Sequence, residues 1–322
     1  MKALYLPADG RALEMRDVAP PARDGECRIR VSLAGICGTD LQILDGYGGF
    51  EGIPGHEFVG VVEEVERDAD TAWIGQRVVG EINIGCGSCD WCRRGIKEHC
   101  PDRSVLGIKH RAGAFAECLW LPAANLFPVP DAIDDAAAVF VEPTAAACRI
   151  LTQIDVPSGA EVVVLGDGRL GLLVGQVLAT TGAQVTVVGK HEAKLEVARR
   201  LGLATQPRAQ VNETSSAQRA EIVVDTTGRP DGLSAALRLV RPRGTVVLKS
   251  TFHGETTATL WPAVVDEVRV VGSRCGPFAP AIDLLATGRV RTTALVAGTF
   301  SLEDYKAAFE RARRKLKILL KP

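Results

Sequence analysis

The chain has 322 residues, 46% hydrophobic and 24% charged, which excludes a disordered or fibrous chain and, at this length, predicts two domains rather than one core. Thirty-eight Lys and Arg against 39 Asp and Glu leave a formal net charge of -1, so no global field favours a nucleic acid or an anionic membrane as partner. No apolar run approaches the ~18–20 residues that cross a bilayer, and the opening MKALYLPADGRALEMRD turns polar too early for a signal peptide, so the expected location is cytoplasmic.

The first third carries short apolar runs, Arg28–Leu33, Phe58–Val65 and Arg77–Val79, separated by turn clusters such as Gly52–Gly55. This is the pattern of strands in a barrel or sandwich. From about Pro130 strand-sized runs alternate with helix-sized segments: Glu161–Leu165, Gln184–Val188, Glu221–Val224, Thr245–Leu248 and Val268–Val271 read as strands. Glu192–Leu201 places Leu195, Ala198 and Leu201 on a helical repeat. Strand and helix in alternation predict a parallel, doubly wound sheet. Leu302–Pro322 reads as a basic helix followed by a short strand, and the run Arg311–Lys315 as its solvated face.

Nine cysteines in a reducing compartment point to metal binding or catalysis rather than to disulfides. Cys86-x2-Cys89-x2-Cys92-x7-Cys100 puts four soft thiolates on one loop loosened by Gly85, Gly87 and Gly95. Four sulfurs suit tetrahedral zinc with no open position, a structural site. An iron–sulfur cluster is the competing reading, since Cys100-Pro101 matches the ending of ferredoxin runs, but its last spacer is shorter. A second set is dispersed: Cys37 after an apolar strand, His56-Glu57 after the turn Ile53–Gly55, and Glu142-Pro143 opening a helical Thr144–Leu151. A thiolate, an imidazole and a carboxylate leave a fourth zinc position for water or substrate. Cys27 and Cys118 read as packing residues.

Gly166-Asp167-Gly168-Arg169-Leu170-Gly171 follows one predicted strand and opens a predicted helix, Leu172–Thr180. In that context the glycines give a tight turn, an approach for pyrophosphate and close helix–strand packing, while the helix N-terminus supplies amide donors. The alternative is three turn glycines with no ligand. An NAD site usually carries an Asp or Glu about 20 residues further on. Here the strand runs into Gly189-Lys190-His191, with no carboxylate until Glu192. Lys190 can meet a 2′-phosphate, so the expectation is NADP rather than NAD; Lys190 as a solvated strand end is the other reading.

GICGTD at Gly35–Asp40, GHE at Gly55–Glu57, the four-cysteine lobe, EPTAAA at Glu142–Ala147 and GDGRLG at Gly166–Gly171 follow one another along the chain. Together they resemble the zinc-dependent medium-chain dehydrogenase/reductases of alcohol and polyol dehydrogenase type. The resemblance implies an α/β fold: a GroES-like β-barrel catalytic domain, residues 1–134 and 273–322, with a structural zinc lobe at about 85–101, and a Rossmann cofactor domain, residues 135–272. It implies two zinc ions per chain, the catalytic one on Cys37, His56 and Glu142. Cys148 is a poor substitute for Glu142, being about 120° further round the helix. The resemblance further implies that Glu57 is a fourth, exchangeable ligand or a neighbour that assists exchange, and that Asp40 orients His56. The resemblance implies that Thr39 relays the substrate proton, although Gln42 stands where many relatives complete the relay with histidine. Arg274, after the last cofactor-domain strand, touches cofactor or substrate or is a surface residue, and Tyr47 and Phe50 line the substrate pocket or pack. The implied partners are a small alcohol or carbonyl and further copies of the chain, as homodimer or homotetramer. The rival readings are an inactive NADPH-binding regulator and a zinc-free quinone reductase.

Overall fold

The computed structural model describes residues 1–8, 12–19, 25–211, 219–251, 255–256 and 258–322. The chain divides into two units, residues 1–142 with 296–322, and residues 143–295.

In the first unit a mixed sheet runs in the order Val296–Ser301, Lys317–Lys321, Cys27–Gly35, Glu57–Val65, Arg77–Gly80, Leu126–Pro128, and Cys118–Leu121 pairs with Cys27–Gly35 off that path. Cys27–Gly35 is a strand because its apolar residues alternate: Cys27, Ile29, Val31 and Leu33 are buried, while Arg28 and Arg30 reach outward to Glu64 and Glu63. Cys27 and Cys118 are core packing residues, as expected. The closing helix is Tyr305–Ala312 and the closing strand Lys317–Lys321. Arg311, Arg313, Arg314 and Lys315 are exposed, Arg313 paired with Asp45 at 2.9 Å.

The second unit holds a six-stranded sheet ordered Ala204–Pro207, Gln184–Gly189, Glu161–Leu165, Ala220–Asp225, Val240–Leu248, Arg269–Gly272, with every pairing parallel. The valine-rich runs are strands of a sheet covered on both faces. Leu165, Val188, Val223 and Val246 pack with Ala235, Ala236 and Leu239 of the helix Gly232–Leu239. This strand order reverses direction beside Glu161–Leu165, the position at which doubly wound sheets bind ligands. The strand Ala204–Pro207 escaped the sequence reading because no apolar run marks it.

The division falls later in the chain than the resemblance suggested, at Glu142/Pro143 and Leu295/Val296. After the sixth strand the chain stays with the parallel sheet: Gln176 donates to the Arg291 carbonyl at 3.1 Å and accepts from its amide at 2.8 Å, and Arg289 donates to the Thr180 carbonyl at 2.8 Å. Arg274 therefore lies within the second unit.

Candidate metal centres and dinucleotide loop

Two antiparallel strands bring the dispersed residues together. Gly35 at the end of Cys27–Gly35 pairs with Glu57 at the start of Glu57–Val65. The chain leaving the first strand and the chain entering the second thus meet at one end of the sheet. Cys37 caps the helix Gly38–Leu44 in an extended conformation, and its amide donates to Asp40 Oδ2 at 2.7 Å. Asp40 Oδ1 lies 3.2 Å from His56 Nδ1, without hydrogen-bond alignment. One carboxylate, buried like His56 and Glu57, therefore contacts both Cys37 and His56. Cys37 Sγ, a His56 ring nitrogen and a Glu57 carboxylate oxygen all lie within 4.8 Å of one another. Burial alone would lower the His56 pKa, but the charges of Asp40 and Cys37 outweigh it and the net shift is upward. Thr39 stands in the first turn of the helix, its Oγ1 3.8 Å from Cys37 Sγ. Glu142 is half-buried near the start of the helix Val141–Gln153 and is not one of the three clustered donors. Phe50 is buried and Tyr47 half-buried.

The sequence reading passed over one side chain in this region. Lys317 is fully buried and paired with Glu57 Oε2. Its only sequence signal was a charge opening an otherwise apolar strand, Ile318–Leu320.

The four-cysteine lobe is built locally. The strands Asn83–Ile84 and Ser104–Val105 pair at its base, and Cys89 caps the short helix Asp90–Arg93. The Cys86 amide donates to Cys100 Sγ and the Cys89 amide to Cys86 Sγ, each at 3.4 Å. All four sulfurs lie within 4.8 Å of one another. A Cβ on Gly85 would sit 2.6 Å from Cys92 Sγ, so a glycine is what lets the loop close. Donors from Ser88 and from the Cys89 amide draw the Cys86 thiol down to about 6, whereas loss of hydration pushes Cys92 up to about 11. Four close sulfurs do not all ionise unaided; a bound cation permits it. The donor chemistry of both clusters fits zinc: four thiolates in one, a mixed sulfur, nitrogen and oxygen set in the other.

In the second unit the loop Gly166–Gly171 joins the strand Glu161–Leu165 to the helix Arg169–Ala179. Gly166 has φ +116°, nothing lies within 4 Å of where a Gly168 Cβ would be, and a Gly171 Cβ would strike the Gly166 carbonyl oxygen at 2.1 Å. Turn, open approach and tight packing thus fall on the first, second and third glycines. Arg169 and Leu170 begin the helix, half-buried. Asp167 in the same loop accepts from the Lys190 and His191 amides at 2.8 and 2.7 Å, and lies 3.0 Å from His191 Nδ1. Burial raises its pKa, but the His191 amide and ring together with the charge of Lys194 prevail, and the carboxyl is held below its usual range. A carboxylate therefore does stand beside Gly189, supplied by the glycine loop and occupied with the backbone of residues 190 and 191. The Lys190 and His191 side chains remain exposed. Arg274 is exposed, and its carbonyl accepts from the buried Lys249 ammonium.

Two family models match the chain: the alcohol dehydrogenase GroES-like domain over residues 23–131, and the zinc-binding dehydrogenase domain over residues 170–287. The starvation-sensing protein RspB of Escherichia coli K12 is 30% identical over 96% of this chain and 95% of its own length. D-arabinitol dehydrogenase 1 of Uromyces fabae is 29% identical over 100% and 97%. The chain belongs to the zinc-dependent medium-chain dehydrogenase/reductases. Among solved structures of this family, RspB of Escherichia coli CFT073 with NADH superposes with a TM-score of 0.92 at 28% identity, covering 100% of this chain and 99% of that one. A zinc-binding dehydrogenase from Sinorhizobium meliloti 1021 bound to NADP gives 0.91 at 27%, with the same coverage. The α/β architecture of GroES-like domain and Rossmann sheet is the family's. Among the described residues no helix is long and apolar enough to cross a membrane.

Proposed function

We propose that this member is a cytoplasmic enzyme with two zinc ions per chain, catalysing reversible hydride transfer between a secondary alcohol or polyol and NADP. The observation that carries the reading is the convergence of Cys37, His56 and Glu57 donor atoms within 4.8 Å, braced by Asp40. The substrate class draws on the relatives: besides D-arabinitol dehydrogenase 1, an L-galactonate-5-dehydrogenase of Escherichia coli K12 is 30% identical over 92% of this chain.

Cys37 and His56, with Glu142 as the carboxylate ligand and Glu57 close by, would hold the catalytic zinc; Cys86, Cys89, Cys92 and Cys100 would hold the structural one. Zinc at the first site supplies a Lewis acid that lowers the pKa of an alcohol hydroxyl or polarises a carbonyl. Asp40 fixes the His56 ring and the Cys37 backbone, the orienting role of a buried carboxylate behind a ligand histidine. Thr39, in the first turn of the helix beside Cys37, takes the substrate hydroxyl proton. Gly166, Gly168 and Gly171, with the first amides of the helix opened by Arg169 and Leu170, bind the pyrophosphate. Asp167 holds the Lys190 and His191 amides and contacts His191 Nδ1, so that the exposed Lys190 side chain would meet a 2′-phosphate, with the His191 ring beside it. Arg274 would contact cofactor or substrate.

The chain would act as a homodimer or homotetramer. Leu260, Trp261, Val264 and Val265 are exposed around the helix Trp261–Val265, and Val270 on the outermost strand of the parallel sheet. Exposed apolar side chains and the outermost strand of a sheet are the kind of surface that a second copy would cover.

The test is steady-state kinetics on a panel of secondary alcohols, polyols and quinones with NADP and with NAD, before and after zinc removal. The expected result is secondary alcohol or polyol oxidation with the higher kcat/KM for NADP, lost on chelation and restored by zinc. A higher kcat/KM for NAD would overturn the cofactor assignment, and quinone reduction surviving chelation would overturn the reaction.

A further inference from the structure

A buried ammonium is costly unless neighbouring acceptors replace its water. Lys249 is 6% exposed and has no role in the chemistry proposed above. The strand ladder sets its place. Leu248 stands opposite Gly272 of the outermost strand, the Lys249 amide donates to the Asp225 carbonyl at 2.9 Å, and the Ser273 amide donates to the Leu248 carbonyl at 3.0 Å. Lys249 and Ser273 are therefore the first residues past the carboxyl ends of two neighbouring parallel strands. The Lys249 ammonium donates to Ser273 Oγ at 3.1 Å and to the Arg274 carbonyl oxygen. The same stretch is held from its other side by the helix Val141–Gln153: Gln153 donates to the Gly272 carbonyl at 2.9 Å, and a Cβ on Gly276 would overlap the Ala145 carbonyl oxygen and stand 2.9 Å from Arg149 Cβ. Burial pushes the Cys148 thiol of that helix up to about 11, and the charge of Lys249 opposes the rise.

A doubly wound sheet takes a dinucleotide across the carboxyl ends of its strands, one mononucleotide to each half of the sheet. The glycine loop and Lys190 belong to the half built from Glu161–Leu165, Gln184–Gly189 and Ala204–Pro207, which takes the adenosine side. The nicotinamide side then falls to the half built from Ala220–Asp225, Val240–Leu248 and Arg269–Gly272, at whose strand ends Lys249, Ser273 and Arg274 stand. We propose that Lys249 is a positioning residue for the nicotinamide half of the cofactor, fixing the Ser273–Arg274 backbone in the form against which the nicotinamide rests. The proposal rests on the nicotinamide-cofactor reading above and adds to it the side chain that shapes this half. Chain beyond a strand end has no ladder to hold it, and the ammonium supplies the missing tie by drawing a hydroxyl and a carbonyl to one point. A lysine that served the stability of the sheet alone would affect the binding of both cofactor halves alike.

The experiment is calorimetric titration of the full-length protein with NADPH and with 2′,5′-ADP, the fragment that keeps the adenosine side and lacks the nicotinamide, and in parallel with NADH and ADP. In Lys249→Met the Kd for NADPH is expected to rise by about 10-fold or more, while that for 2′,5′-ADP stays within about 2-fold of the unsubstituted protein. Ser273→Ala removes one of the two acceptors and keeps the ammonium; it is expected to raise the Kd for NADPH by about 3-fold and again to spare the fragment. This second variant reads the same contrast if Lys249→Met folds poorly. Undiminished NADPH binding in Lys249→Met, or an equal weakening of dinucleotide and fragment in either variant, would overturn the proposal. Tighter binding of the NADH and ADP pair by the unsubstituted protein would overturn the choice of NADP, and the contrast is then read on that pair with the same two outcomes. Failure of the unsubstituted protein to bind any of the four would overturn the cofactor reading and the proposal with it.

Discussion

The two cysteine-bearing clusters solve the same coordination problem by opposite means. The lobe draws Cys86, Cys89, Cys92 and Cys100 from one short loop, leaves Cys86 exposed, and shapes itself with its own amides and a glycine. The other draws Cys37 and His56-Glu57 from two strand ends, adds Lys317 from the last strand, and is buried except at Cys37 and Thr39. The lobe offers only sulfur, the dispersed site sulfur, nitrogen and oxygen. A closed set of like donors confers stability, whereas a mixed set gathered by the fold can leave room for a substrate. The burial of an acid, a base and an ammonium together is tolerated only because each answers another.

The sharpest way to break this contrast is to remove one ligand of the dispersed site. Cys37→Ser is expected to lower turnover by on the order of 10³-fold, several kcal/mol of Lewis-acid stabilisation, with circular dichroism and melting temperature little changed. A variant that keeps near-full activity would place the chemistry elsewhere. A smaller loss tests the proton path beside it: Thr39→Ala should lower kcat by about 10²-fold and leave the metal content intact. Unchanged kcat would remove Thr39 from the reaction.

The smallest effect probes the second unit, where Asp167 is expected to contribute to stability. Its carboxyl lies below its usual range when folded and returns to about 4 on unfolding. The stability it adds is therefore present above about pH 4 and is lost as pH falls further. Asp167→Asn should lower the melting temperature at pH 7 by about 2–4 °C, and the gap to the unsubstituted protein should narrow toward pH 3. A gap that widens in acid would show that Asp167 is not the ionised partner of residues 190 and 191.

What the sequence made legible follows from how far apart the cooperating residues lie. The lobe was readable because its four cysteines share one loop, and the glycine loop because its three glycines each answer a local steric demand. Cys37 and His56 could be paired only through the resemblance, since their meeting depends on the register Gly35 to Glu57. Lys317 was not legible: its partner Glu57 lies 260 residues away, and no local pattern distinguishes a buried lysine at a strand start from a solvated one. Asp167 stood in plain view within the glycine motif, but its partners are the amides at the end of the next strand. The absence of an acid after Val188 drew attention to Lys190 and away from the acid already present in the loop.

The most direct test of the central claim is to count metal ions per chain in the purified protein and in two variants. Two zinc ions are expected in the unsubstituted chain and one in each of Cys37→Ser and Cys100→Ser, with turnover lowered by on the order of 10³-fold in the first and melting temperature lowered in the second. A Cys37→Ser protein that keeps both ions would contradict that claim.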